Sequence, residues 1–163
     1  MAYIEKWIAE GAGREVRIHD PYLTPSDVVE ILKMVLSVKP SLEVNIITSK
    51  KGLQNAHVSS PYSDHFRASW SEASSQSAPI TRVVIVSVGP EGAGLVHDRW
   101  WCSGDSGLEF GTSFNGLGKE KVSKIRIMPR EEAAQAAARL REIAGMRVRY
   151  VEEKRVVYES VDL

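Results

Sequence analysis

His97, Arg99, Ser113 and Asn115 bring an imidazole, a guanidinium, a hydroxyl and an amide into one stretch, Val96 to Gly118, which reads VHDRWWCSGDSGLEFGTSFNGLG. Together these groups suit chemistry at a phosphate. A nucleophilic histidine needs a second group to fix its ring, a cation to offset the charge of the phosphoryl oxygens, and neutral donors for the remaining lone pairs. The pattern predicts two adjacent short strands joined by a polar turn at Ser103, Gly104 and Asp105. Along the first, about Leu95 to Cys102, strand alternation turns Val96 one way and His97 with Arg99 the other. Along the second, about Leu108 to Phe114, Phe110 and Thr112 alternate against Gly111 and Ser113, and Gly111 leaves room for a ligand or a second backbone. The candidate catalytic residues are His97, Arg99 and Asn115, and the candidate phosphate-binding residues are Arg99, Gly111, Thr112, Ser113 and Asn115. The plainer alternative is an exposed His and Arg pair beside an ordinary strand end that carries Asn-Gly turn chemistry.

Other residues fall around this set. His19 and Asp20 open the loop after the first expected strand, at a carboxyl end where open α/β sheets gather ligands. There Asp20 either orients a histidine or forms an Asp-Pro turn capping the next helix. Lys50 and Lys51 end the second expected strand on the same rim and add positive potential, or are simply a solvated strand end. His57 and His65, eight apart with Asp64 nearby, lack a metal-ligand spacing, and no metal or other cofactor is expected. Trp100 and Trp101 read as one core and one interface side chain.

Those residues must be held by a mixed α/β scaffold. Ile4, Trp7 and Ile8 mark a short amphipathic helix stopped by Gly11 and Gly13. A strand over about 14–23, a helix from Thr24, Pro25, Ser26 and Asp27 to about Val38, and a strand over about 41–51 form a βαβ unit, hence a parallel pair. Tyr62, Phe66 and Trp70, four apart, predict a helix within about 60–76. ITRVVIVSV, Ile80 to Val88, is the strongest strand signal, and Gly89, Pro90, Gly92 and Gly94 suggest a hairpin into Leu95 to Cys102. A strand over Ser123 to Met128 follows, then a helix in PREEAAQAAARLREIAG and a terminal edge strand. One domain is expected, with an N-terminal helix over 1–13, a core over 14–128, and a C-terminal helix and strand over 129–163.

The chain has 163 residues, and its 21 basic and 21 acidic side chains cancel, so any polyanion site must be a local patch. The lone Cys102 cannot form an internal disulfide and sits in an apolar run, as a buried thiol in a reducing, cytoplasmic compartment would. The first residues lack a signal-peptide core, and no stretch approaches the roughly 18 apolar residues of a membrane span. A soluble chain is expected.

His97, Gly111 and Asn115 coincide without a gap with the HKD motif of the phospholipase D superfamily, H-x-K-(x)4-D-(x)6-G-S-(x)2-N. The chain resembles that family in a variant form. Arg99 stands for the lysine, Gly104 takes the aspartate position with Asp105 one place late, and Thr112 takes the serine position with Ser113 beside it. A one-residue bulge would return Asp105 to the family place. The likeness covers about residues 14–128 and is greatest to the phospholipase D-like domain at the C-terminus of microtubule-interacting-and-trafficking (MIT) domain proteins and its bacterial relatives. A D-P-Y opening and an H-D-R triplet occur there too, matching Asp20 to Tyr22 and His97 to Arg99.

The resemblance implies a largely parallel mixed sheet flanked by helices, and either of two functions. Catalytic members are metal-independent hydrolases in which two motifs face each other, one histidine attacking phosphorus and the other protonating the leaving group. This chain carries one motif, so a phosphodiesterase or nuclease would be a homodimer, with His97 of one subunit as nucleophile and His97 of the other as acid, Arg99 and Asn115 on the non-bridging oxygens, and Asp105 and Asp20 in support. The trafficking-type domains imply instead a noncatalytic binding or assembly module, recognising a phosphoinositide headgroup, nucleic acid or a partner protein, on its own or within a larger multidomain protein.

Overall fold

Val16 and Ile18 alternate with Arg17 and His19, and in the computed structural model, which describes residues 1–117 and 124–163, that alternation becomes β1 (Glu15–His19). The next helix, α2 (Pro25–Val38), starts where the sequence indicates. The Thr24 hydroxyl accepts from the Asp27 amide, the Asp27 carboxylate accepts from the Thr24 amide at 2.8 Å, and Pro25 takes the first turn. Val28, Ile31, Leu32 and Val35 form its buried face. β2 (Glu43–Ser49) then lies parallel to β1, and β3 (Thr81–Val88) parallel to β2. Between them stand α3 (Lys50–Asn55) and α4 (Tyr62–Ala73), the latter burying Tyr62, Phe66 and Trp70 as their spacing predicts. The N-terminal helix is α1 (Ala2–Gly11), with Ile4, Trp7 and Ile8 inward.

The chain does not turn back beside β3. The expected hairpin is replaced by a strap: a bridge between Val88 and Ala93 closes a tight loop, and residues 94–98 then lead to β4 (Arg99–Ser103), which pairs antiparallel with β1. Strap atoms dock on the way, the Lys51 amide donating to the Gly92 carbonyl at 2.9 Å. β5 (Ser106–Phe110) forms a hairpin with β4 around Gly104 and Asp105, with Gly104 at φ 60°, a conformation that glycine adopts without steric cost. Three further elements follow: β6 (Ile125–Ile127), α5 (Arg130–Ala144), and a hairpin of β7 (Tyr150–Val151) with β8 (Lys154–Asp162). Gly118, which ends the motif stretch, and Ser123, which opens the expected strand at 123–128, lie outside the described residues.

The sheet order is β6-β5-β4-β1-β2-β3-β8-β7. Among the described residues only the β1–β2 and β2–β3 pairs are parallel, so the mixed α/β class holds while the expectation of a largely parallel sheet is corrected: the described flanking strands pair antiparallel. The C-terminal strand is likewise not the outermost one, because β8 is zipped onto β3 from Arg82–Asp162 to Val88–Val156 and β7 lies beyond it. One face of the sheet buries Val16, Ile18, Ile46, Val83, Ile85, Trp101 and Leu108 under α1, α2 and α4. The other buries Ile47, Val84, Val86 and Cys102 under Ala133, Ala136, Ala137 and Leu140 of α5. Among the described residues no helix is long and apolar enough to cross a membrane.

Candidate functional site

β1, β2 and β3 run the same way and β4 runs against β1, so the carboxyl ends of the three parallel strands and the start of β4 share one rim. Asp20 follows β1 there, only 2% exposed. The Ser113 hydroxyl donates to its carboxylate, with Oγ 2.5 and 2.7 Å from the two oxygens, the Phe114 amide donates at 2.8 Å, and the Tyr22 amide at 3.0 Å. A buried carboxylate needs such donors to offset its desolvation. One consequence is that the segment after β5 is tied to the end of β1.

Arg99 opens β4, and its Nε lies 3.9 Å from Asp20 Oδ1. Its guanidinium carbon sits 5.4 Å from the centre of the Tyr22 ring, a cation–π arrangement. The side chain is 25% exposed, yet its Nε is buried and has no hydrogen-bond partner among the described residues. The rim therefore holds a cation that is charge-balanced, stacked on one face, and left with a donor to spare.

The remaining expected residues divide. His97 is exposed in the strap, ahead of β4 and not on it, because the ladder with β1 and β5 begins only near Arg99. Asn115 is exposed on a single 3-10 turn, Phe114–Gly116, and Ser113 caps that turn as its preceding residue, so neither belongs to a strand; β5 ends at Phe110. Gly111 is exposed and Thr112 half-buried between them, the Gly111 amide donating to the Lys124 carbonyl at 3.0 Å. The structure thus brings Asp20, Arg99 and Ser113 together, with Ser113 committed to Asp20.

Asp105 is placed elsewhere. It sits in the turn at the far end of β4, ion-paired with Arg130 at the start of α5. The β4–β5 register is unbroken from Arg99–Phe110 to Ser103–Ser106, so no bulge returns Asp105 toward the rim, and about 13 Å of extended strand separate the two ends of β4. Lys50 and Lys51, expected as the end of a strand, form the first turn of α3, capped by the Ser49 hydroxyl accepting from the Gly52 amide at 2.9 Å. His57 and His65 are exposed on a turn and on α4.

His19, one residue before Asp20, lies outside the expected catalytic and phosphate-binding residues, yet it is 1% exposed. Its Nδ1–H donates to the Asp98 carbonyl at 2.6 Å, which fixes the tautomer and pins the strap between His97 and Arg99. Burial holds its pKa below the ordinary histidine value, against the opposing pull of the Asp98 carbonyl and of Asp20. The signal available in the sequence was position alone, since His19 ends an apolar strand directly before an Asp-Pro turn. Trp100 lies opposite His19 in the β1–β4 register, and its buried indole N–H has no hydrogen-bond partner among the described residues.

No protein-family model matches this chain, and no curated protein matches it.

Proposed function

We propose that the chain is a phospholipase D-like binding module whose rim holds a phosphate ester, with Arg99 as the anchoring cation and His97 and Asn115 as exposed donors flanking it. The observation that carries this reading is the Arg99 guanidinium, oriented by Asp20 and Tyr22 while its side chain stays 25% exposed at the rim. A planar guanidinium so held presents two parallel N–H groups to a pair of phosphate oxygens. Binding is favoured over hydrolysis because Asp20 is taken up by Ser113, Phe114 and Tyr22, and Asp105 by Arg130. Neither carboxylate is thereby left to orient an attacking imidazole at position 97. A twin subunit, which hydrolysis requires by the family analogy, is not required for binding.

The test is retention of the purified protein on short oligonucleotides and on phosphoinositide-containing vesicles, beside Arg99→Gln and His97→Ala, with EDTA present. Wild-type binding of one ligand, lost in Arg99→Gln, supports the module and names its ligand. Equal retention of wild type and Arg99→Gln overturns it, and phosphodiester cleavage abolished by His97→Ala would establish the catalytic alternative.

A further inference from the structure

The hairpin of β7 and β8 and the segment that leads into it from α5 line a hollow at the edge of the sheet remote from β4, outside the rim set. It measures about 260 Å³ and is lined by Met146, Arg149, Tyr150, Arg155, Val156 and Tyr158. Val156 is buried, and the Tyr158 hydroxyl donates to the Val148 carbonyl at 2.7 Å, so the hollow sets a buried aliphatic side chain and a fixed tyrosine ring beside its arginines. Tyr150 is 67% exposed and stands opposite Arg155 in the strand register. Arg149 and Arg155 form no salt bridge among the described residues, unlike Arg147, which is paired with Glu142. Residues 139–155 carry six cationic side chains against three acidic ones, two of these being Glu152 and Glu153 in the hairpin turn. β7 is also the last strand of the sheet, so its outer backbone edge pairs with no other strand among the described residues.

We propose that this corner docks an extended acidic peptide of a partner protein, the peptide adding beside β7 while one carboxylate reaches Arg149 and Arg155 and a neighbouring apolar side chain enters the hollow. Main-chain pairing supplies general affinity in this mode, and the pocket selects the side chain. The carboxylates meet an excess of positive charge. Met146, Val156 and the rings of Tyr150 and Tyr158 offer an apolar side chain contacts that a phosphate backbone does not use, which favours peptide over nucleic acid.

The probe is a set of labelled seven-residue peptides with Glu at alternate positions and Val, Leu or Phe between, measured by fluorescence anisotropy beside the same peptides with Lys for Glu. Binding of a Glu peptide, weakened on the order of tenfold in Arg149→Gln or Arg155→Gln and in Tyr150→Ala, and unchanged in Arg99→Gln, is the expected result. All four side chains lie at least partly at the surface, and circular dichroism verifies that each variant folds. Failure of every Glu peptide to bind at millimolar concentration overturns the proposal, as does equal affinity in the arginine variants or stronger binding of an oligonucleotide through the same arginines. Loss of phosphate-ester binding at the rim leaves this result unaffected, so the two readings fail separately.

Discussion

Ser113 donates its hydroxyl to the carboxylate of Asp20, with Oγ 2.5 and 2.7 Å from the two oxygens, across 93 residues of sequence. The bond closes the segment after β5 onto the end of β1 and holds Asn115, two residues on, at the rim. Asp20→Ala would strand the Ser113 hydroxyl and the Phe114 and Tyr22 amides, and each buried donor left unmet costs about 1–3 kcal/mol. The expected loss is therefore several kcal/mol in urea denaturation, with faster hydrogen exchange at the Phe114 amide. Ser113→Ala, which removes one donor and leaves the amides paired, is expected to cost about 1–2 kcal/mol.

Arg99→Lys separates charge from geometry. An ammonium keeps the positive charge near Asp20 but cannot present two parallel donors or stack on Tyr22 in the same way. Phosphate-ester affinity is expected to drop about tenfold, equivalent to roughly 1.4 kcal/mol, while the denaturation midpoint stays close to wild type, since the side chain is partly exposed. Calorimetric titration and urea denaturation of the same sample measure both.

His19 binds a proton less readily in the fold than in the unfolded chain, because burial disfavours the imidazolium. Below about pH 6.5 the unfolded state therefore holds more protons, and stability falls as pH drops from that point, levelling off below the lowered folded pKa. The slope from this group alone reaches at most about 1.4 kcal/mol per pH unit. Urea denaturation at pH 7.5, 6.5 and 5.5 measures it, and His19→Gln should flatten that part of the profile. An equal slope in the variant would assign the effect to other groups.

Gly52 is fixed by close approach. A Cβ there would stand 2.0 Å from the Pro21 carbonyl oxygen, on backbone that also receives the Ser49 hydroxyl. Gly52→Ala is expected to destabilise by about 1–3 kcal/mol or more, as overpacking of a rigid site does, and a wild-type denaturation midpoint would show that α3 shifts freely.

Local signals were legible and distant pairing was not. Thr24, Pro25 and Asp27 announce the start of α2, and Tyr62, Phe66 and Trp70 the buried face of α4, because caps and helical periodicity are written within a few residues. The run Gly89 to Gly94 does mark a turn, but whether the chain returns beside β3 or crosses to β1 depends on which edge is free. The β3 edge is taken by β8, some seventy residues later. The same ambiguity made His97 a strand residue and β8 an edge. Within the site, Arg99 and Asp20 were each legible as candidates, whereas the pairing of Ser113 with Asp20 and the burial of His19 needed the fold. Cys102 was legible in full: it lies in an apolar run, is buried, and burial pushes its thiol up to about 12, so the native protein is expected to resist thiol reagents that label the unfolded chain.

The most direct measurement is of the Arg99 side-chain Nε–H signal by nitrogen-resolved NMR during titration with a dinucleotide phosphodiester and with a soluble phosphoinositide headgroup. The account predicts that one of them shifts the Nε–H resonance saturably, together with signals of His97 and Asn115, and that Arg99→Gln abolishes the shifts at the other two residues. Titrations that leave all three unmoved, or that move His97 and Asn115 equally in Arg99→Gln, would contradict it.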